Sequence, residues 1–112
     1  MKQAIDNLIQ HYATVTNGES ALFRETLLQI CEVHGVGGPE FCDAFAKAVA
    51  ERFAAGQLDA DGASFAVDDL HHSAGFVLPT FARTIFDALE YGESSPADIR
   101  ELVEQEAARN AA

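Results

Sequence analysis

An all-α fold, a compact bundle of about six short helices in one domain, is what this chain predicts. Apolar residues recur three and four positions apart, the spacing that gathers them on one helical face. Glycine and proline fall between those runs as punctuation. Nowhere do apolar and polar residues alternate, with β-branched side chains among them, for long enough to build a strand. The 112 residues are 48% hydrophobic and include eight Phe, which is material for one core, so the chain reads as a single domain over residues 1–112.

The first helix is expected from Lys2 to Thr16, with Ile5, Leu8, Ile9 and Tyr12 on one face and Asn17-Gly18 as its stop. Ser20 is placed to cap the second, whose inward face is Phe23, Leu27, Ile30 and Cys31, widened by Leu22 and Leu28. The glycines of Gly35-Val36-Gly37-Gly38 end it, and Pro39 suits the first turn of the next. That third helix runs from Pro39 to about Ala55, burying Phe41, Phe45, Val49 and Phe53 beside Cys42, and Gly56 stops it. Asp59 caps a fourth helix through Phe65, Asp69, Leu70 and His72, with Gly62 inside it and Val67 off the stripe. Gly75 breaks the chain before a fifth helix near Pro79, with Phe81, Ala82, Ile85, Phe86 and Leu89 inward and Gly92 as its end. Ser95-Pro96-Ala97-Asp98 has the pattern of a capping box, and Ile99, Leu102, Val103 and Ala107 form the inner face of the sixth.

Eighteen Asp and Glu stand against seven Lys and Arg, a formal net charge of −11. Such an excess biases encounters toward basic macromolecules. The cations are scattered singly, so no basic stripe is there to neutralise phosphates, and no nucleic-acid partner is expected. No window approaches the roughly 18 uninterrupted apolar residues of a spanning helix, and no membrane partner is expected either. The N-terminal residues show no long apolar run of a secretory signal, and the two cysteines lack CxxC spacing. These features favour a cytoplasmic protein, and the Ala-rich, Lys-poor usage suggests a bacterial one.

Among motifs, Asp68-Asp69-Leu70-His71-His72 is the sharpest. On a helix, Asp68 faces His71 and His72 three and four positions on, a carboxylate–imidazole spacing that ligates metal in helical bundles. Asp68, His71 and His72, completed by Glu32 or His34, make one candidate metal site. The competing reading is a polar helix face, and it is preferred: no second such pair exists to complete a dinuclear centre, and no cofactor is expected. Asp59-Ala60-Asp61-Gly62 is not a calcium loop, because Ser64 stands where the turn glycine is required and Leu70 where the bidentate acid is required. Cys31 and Cys42 sit on apolar stripes at facing helix ends and read as buried, reduced thiols. The glycines of residues 35–38 follow a helix and lack the Lys and Ser/Thr of a phosphate loop. No GxSxG, HExxH or CxxC occurs, and the chain is not expected to be an enzyme.

Charge distribution points elsewhere. Between Arg52 and Arg83 no basic residue occurs, while Asp59, Asp61, Asp68 and Asp69 do, followed by Phe76 and Val77 beside Gly75. Carboxylates around a few apolar anchors compose a site for a basic protein partner, with charge steering the encounter and apolar side chains holding it. The stretch Pro79-Thr80-Phe81-Ala82-Arg83-Thr84-Ile85-Phe86-Asp87-Ala88-Leu89-Glu90-Tyr91-Gly92-Glu93 resembles the C-terminal helix of small bacterial immunity-type proteins, with its Phe-Ala start, Ile-Phe-x-Ala centre and Gly-Glu stop. That resemblance implies a small acidic helical inhibitor that neutralises a cognate toxin by binding it; it covers residues 79–93 and carries over no toxin-contacting residue. The expectation is therefore a non-enzymatic protein-binding module, an immunity- or antitoxin-like inhibitor acting through Asp59, Asp61, Asp68, Asp69, Phe76 and Val77. The alternatives are a metal-binding helical enzyme centred on Asp68, Asp69, His71 and His72, and a structural homodimer paired through the stripe from Phe81 to Leu89.

Overall fold

Six α-helices and no strand form among the residues that the computed structural model describes, 1–14, 19–92 and 94–111. They are α1 (Lys2–Thr14), α2 (Arg24–His34), α3 (Gly38–Ala54), α4 (Ala60–Ser73), α5 (Thr80–Glu90) and α6 (Pro96–Ala111). The expected run of the first helix to Thr16 and its stop at Asn17-Gly18 lie outside the described residues. The central helix is α3, which packs against each of the others. Phe41, Phe45, Ala46, Val49, Ala50 and Phe53 put its apolar stripe in the middle of the core, with the Phe41 and Phe45 rings stacked 5.8 Å apart. Truncating one such ring to Ala typically costs about 3–5 kcal/mol.

Local chemistry sets the helix ends. The Asp59 carboxylate accepts from the Gly62 backbone N–H at 2.7 Å, the cap expected of it. Ser95 and Asp98 form the reciprocal capping box, Asp98 Oδ2 accepting from the Ser95 N–H at 3.0 Å and Ser95 Oγ from the Asp98 N–H at 3.2 Å. Those hydrogen bonds hold the Asp98 carboxyl below its ordinary range. Gly62, inside α4, is required by a close approach: a Cβ there would meet the Tyr12 carbonyl, the Leu58 side chain and Asp59 Oδ1 at 3.0 Å each. One cap comes from outside its own helix, with Asp43 of α3 accepting from the Ala82 N–H of α5 at 3.1 Å.

The second helix departs most from expectation. It begins at Arg24, and Ser20 does not cap it. Side chains of α1 and α4 claim the segment before it: the Tyr12 hydroxyl accepts from the Leu22 N–H at 3.0 Å and the Ala21 N–H at 3.3 Å, while Ser73 Oγ donates to the Leu22 carbonyl at 3.1 Å. Backbone groups engaged this way cannot start a helix, so Leu22 enters the core from an extended segment. Phe23 and Leu28, expected inward, are 54% and 53% exposed, because the short helix turns only Leu27 and Cys31 fully inward. Smaller corrections follow from helix rotation. Val67 is fully buried, His72 is exposed, and Ala107 lies on the outer face of α6.

Candidate partner-binding surface

Asp68 and Asp69, adjacent on α4, point about 100° apart around the helix axis. Asp69 faces the core side and is 7% exposed. Its carboxylate accepts from the Tyr12 hydroxyl at 2.6 Å and from Ser20 Oγ at 3.0 Å. Burial first, then the Asp69 carboxylate beside it, pushes the Tyr12 hydroxyl well above its ordinary pKa. Asp69 thus ties α1, the segment before α2 and α4 together, and the expected role as a surface contact is corrected. Asp69 lies at the base of the cleft between α4 and the segment before α2, its two oxygens taken by Tyr12 and Ser20.

Asp68 turns outward, and its carboxylate lies 3.6 Å from Nε2 of His72. His71 is half-buried, its ring 4.4 Å from that of Phe86 on α5. The Phe76 ring then meets both imidazoles edge-on, at 5.2 Å from His71 and 4.9 Å from His72. The helix ends through a Gly75 N–H to His72 carbonyl bond of 3.1 Å and a Phe76 N–H to His71 carbonyl bond of 2.9 Å. Gly75 has φ 72° and Phe76 has φ 67°. For a side chain as large as Phe that left-handed conformation costs about 1–2 kcal/mol, held here by the helix-end bonds and ring contacts. Phe76 is nevertheless 59% exposed, and Val77 75%.

Two clefts meet at this end of the bundle. One, of about 420 Å³, lies between α4 and the segment leading into α2, with Phe23, Arg24, Asp68, His72 and Ser73 on its walls. The other, of about 360 Å³, runs between α2 and the α4–α5 connection and is mostly apolar, formed by Leu27, Leu28, Pro39, Cys42, Val77 and Leu78. Arg24 and Ser73 line both, the Arg24 guanidinium reaching the Ser73 carbonyl at 3.5 Å. Leu28 of α2 and Val77 therefore share the apolar cleft, and Phe23, just before α2, lines the adjoining one. Sequence reading assigned Phe23 and Leu28 to the core. The available signal was an excess of apolar residues on α2, with Leu27 and Leu28 adjacent on a helix too short to bury both.

The six expected partner residues do not form one patch. Asp59 and Asp61 sit at the N-terminal end of α4, about 20 Å along the axis from Phe76 at 1.5 Å per residue, and Asp59 is occupied as a cap. Asp68, Phe76 and Val77 remain together.

The metal alternative finds its residues otherwise engaged. His71 packs on Phe86, His72 pairs with Asp68, and His34 Nδ1 lies 3.2 Å from the Met1 amino nitrogen. Among the described residues no three His, Cys, Asp or Glu side chains converge as a ligand set. The stripe of residues 81–89 considered for a homodimer is turned inward, with Phe81, Ala82, Ile85 and Phe86 buried in the chain's own core. Cys31 and Cys42 are free and buried. Burial pushes both thiols up, Cys42 to about 11 with Asp43 and Cys31 adding to the shift. No helix among the described residues is long and apolar enough to cross a membrane.

Compared with protein-family models, curated proteins and solved structures, the chain has no match. Fold and surface define a small acidic α-helical domain with an apolar-rimmed pair of clefts at one end.

Proposed function

We propose that this chain is a non-enzymatic protein-binding module that captures a basic protein, in the manner of the immunity-type inhibitors that residues 79–93 resemble. One observation carries the reading: Phe23, Leu28 and Val77, three large apolar side chains, stand exposed on the walls of adjoining clefts, with the exposed Phe76 next to Val77 in the chain. Scattered single apolar residues are ordinary on a protein surface, but a grouped set marks an interaction site. Phe76 adds to this, since its ring is held outward at the expense of a strained backbone. Asp68 and the chain's net charge of −11 favour a cationic partner, accelerating encounter at low salt. Arg24, on the shared wall of the clefts, gives the surface one cation with which to orient an otherwise basic partner.

The test is affinity purification from source cells with three baits: the natural chain, a Leu28→Lys/Val77→Lys double variant and an Asp59→Asn/Asp61→Asn double variant. The reading expects a basic protein retained by the first and third and lost from the second, with an association rate that falls steeply as salt rises. Identical recovery on all three baits would refute it.

A further inference from the structure

On the opposite charge register, a cleft of about 490 Å³ opens between α1 and α3, away from the proposed partner surface. Its walls are Met1, Lys2, Ile5 and Asp6 of the first turns and Ala44, Lys47, Ala48, Glu51 and Arg52 of α3. Three of the chain's seven Lys and Arg meet here, against two carboxylates, in a protein whose net charge is −11. Arg52 is engaged by Asp6 at 3.2 Å. Lys2 and Lys47 are exposed, and among the described residues neither has a carboxylate within ion-pair distance, although the chain has eighteen to offer.

Shape adds a second requirement. Ala44 and Ala48 lie one turn apart on α3 and project nothing past Cβ, so α1 and α3 leave a trough between them. Met1, Ile5, Ala44 and Ala48 give that trough apolar walls, and with Arg52 and Asp6 paired, Lys2 and Lys47 outnumber the one remaining carboxylate, Glu51, among its lining residues. Apolar floor and cationic excess together select a ligand with both characters. A bare phosphate would gain nothing from the floor, and an uncharged hydrocarbon nothing from the lysines.

We propose that this cleft binds a small amphiphilic carboxylate, its chain laid along Ala44 and Ala48 and its head group between Lys2 and Lys47. The site is independent of the partner surface. The experiment is a titration of the isotope-labelled full chain with octanoate, followed by backbone amide shifts, with octanol and acetate as controls and Lys47→Gln and Ala48→Leu as variants. Expected is saturable one-to-one binding, with shifts centred on residues 2–6 and 44–52. Octanol and acetate should each bind more weakly, and Ala48→Leu should abolish binding by filling the trough. Loss of the Lys47 charge should weaken octanoate by about fivefold, the worth of a partly exposed ion pair. Shifts centred instead on Leu27, Leu28 and Val77, binding indifferent to both variants, or no saturation at all would overturn the proposal. Unchanged spectra of the free variants show that each still folds.

Discussion

The seam between α1 and α4 and the edge between α2 and the α4–α5 connection invert the usual arrangement of polarity. In the seam, polar groups are inside: Asp69, Tyr12, Ser73 and the Leu22 backbone bond one another around a buried carboxylate. At the edge, apolar groups are outside: Phe23, Leu28, Phe76 and Val77 face solvent. Buried side-chain nitrogen and oxygen atoms among the described residues all have partners. The seam is therefore complete within the chain, and the edge is where the proposed partner would dock. Asp68 and Asp69, one residue apart, fall on either side of this divide, so a count of carboxylates says nothing of what each one does.

The comparison breaks most readily at Asp69. Asp69→Ala strands the Tyr12 and Ser20 hydroxyls without their acceptor and is expected to cost about 3 kcal/mol, read from the denaturant midpoint. A loss under about 1 kcal/mol would mean the seam holds nothing together. Tyr12→Phe, which removes the donor to Asp69 and the acceptor for two backbone amides, should cost about 2 kcal/mol. It should also change the alkaline limb. A hydroxyl whose folded pKa is raised ionises first in the unfolded chain, so its contribution is complete below pH of about 10 and is lost as pH climbs above it. Cys42 acts in the same sense, its stability contribution fading between pH 9.0 and about 11. Thermal melts from about pH 9 upward should decline in two stages, the first reduced in Cys42→Ala, with Cys31 supplying the remainder, and the second absent in Tyr12→Phe.

The edge sharpens the contrast by its insensitivity. Leu28→Lys and Val77→Lys should each leave stability within about 0.5 kcal/mol while removing partner capture. A cost above about 1 kcal/mol would return these residues to the core and dissolve the distinction. Smallest of all, Asp68→Asn breaks only an exposed contact to His72 and should not measurably shift the melting temperature at neutral pH, while slowing partner association at low salt.

Much of the fold was legible before any coordinates. Caps at Asp59 and Ser95, the stripe of α3 and the glycine stops after α2, α3, α4 and α5 are local devices, set by residues a few positions apart. What escaped was governed by distant groups. Ser20 looks like a helix cap from its neighbours, yet Asp69 takes its hydroxyl 49 positions on. Phe23 fits the stripe of α2 only if that helix starts early, and Tyr12 prevents it. Of the candidate site, Phe76 and Val77 were readable as apolar residues in a glycine-broken turn, whereas Phe23 and Leu28 were not.

Periodicity and capping chemistry act over four residues, which is why the chain's own text determines six helices and most of their ends. Which face of each helix meets another, and so which carboxylate becomes a structural pin and which apolar residue is left outside, depends on packing among segments far apart in the chain. That only the folded bundle decided, because a side chain's neighbours across an interface are set by the joint fit of several helices and by the polar groups each must satisfy once water is excluded.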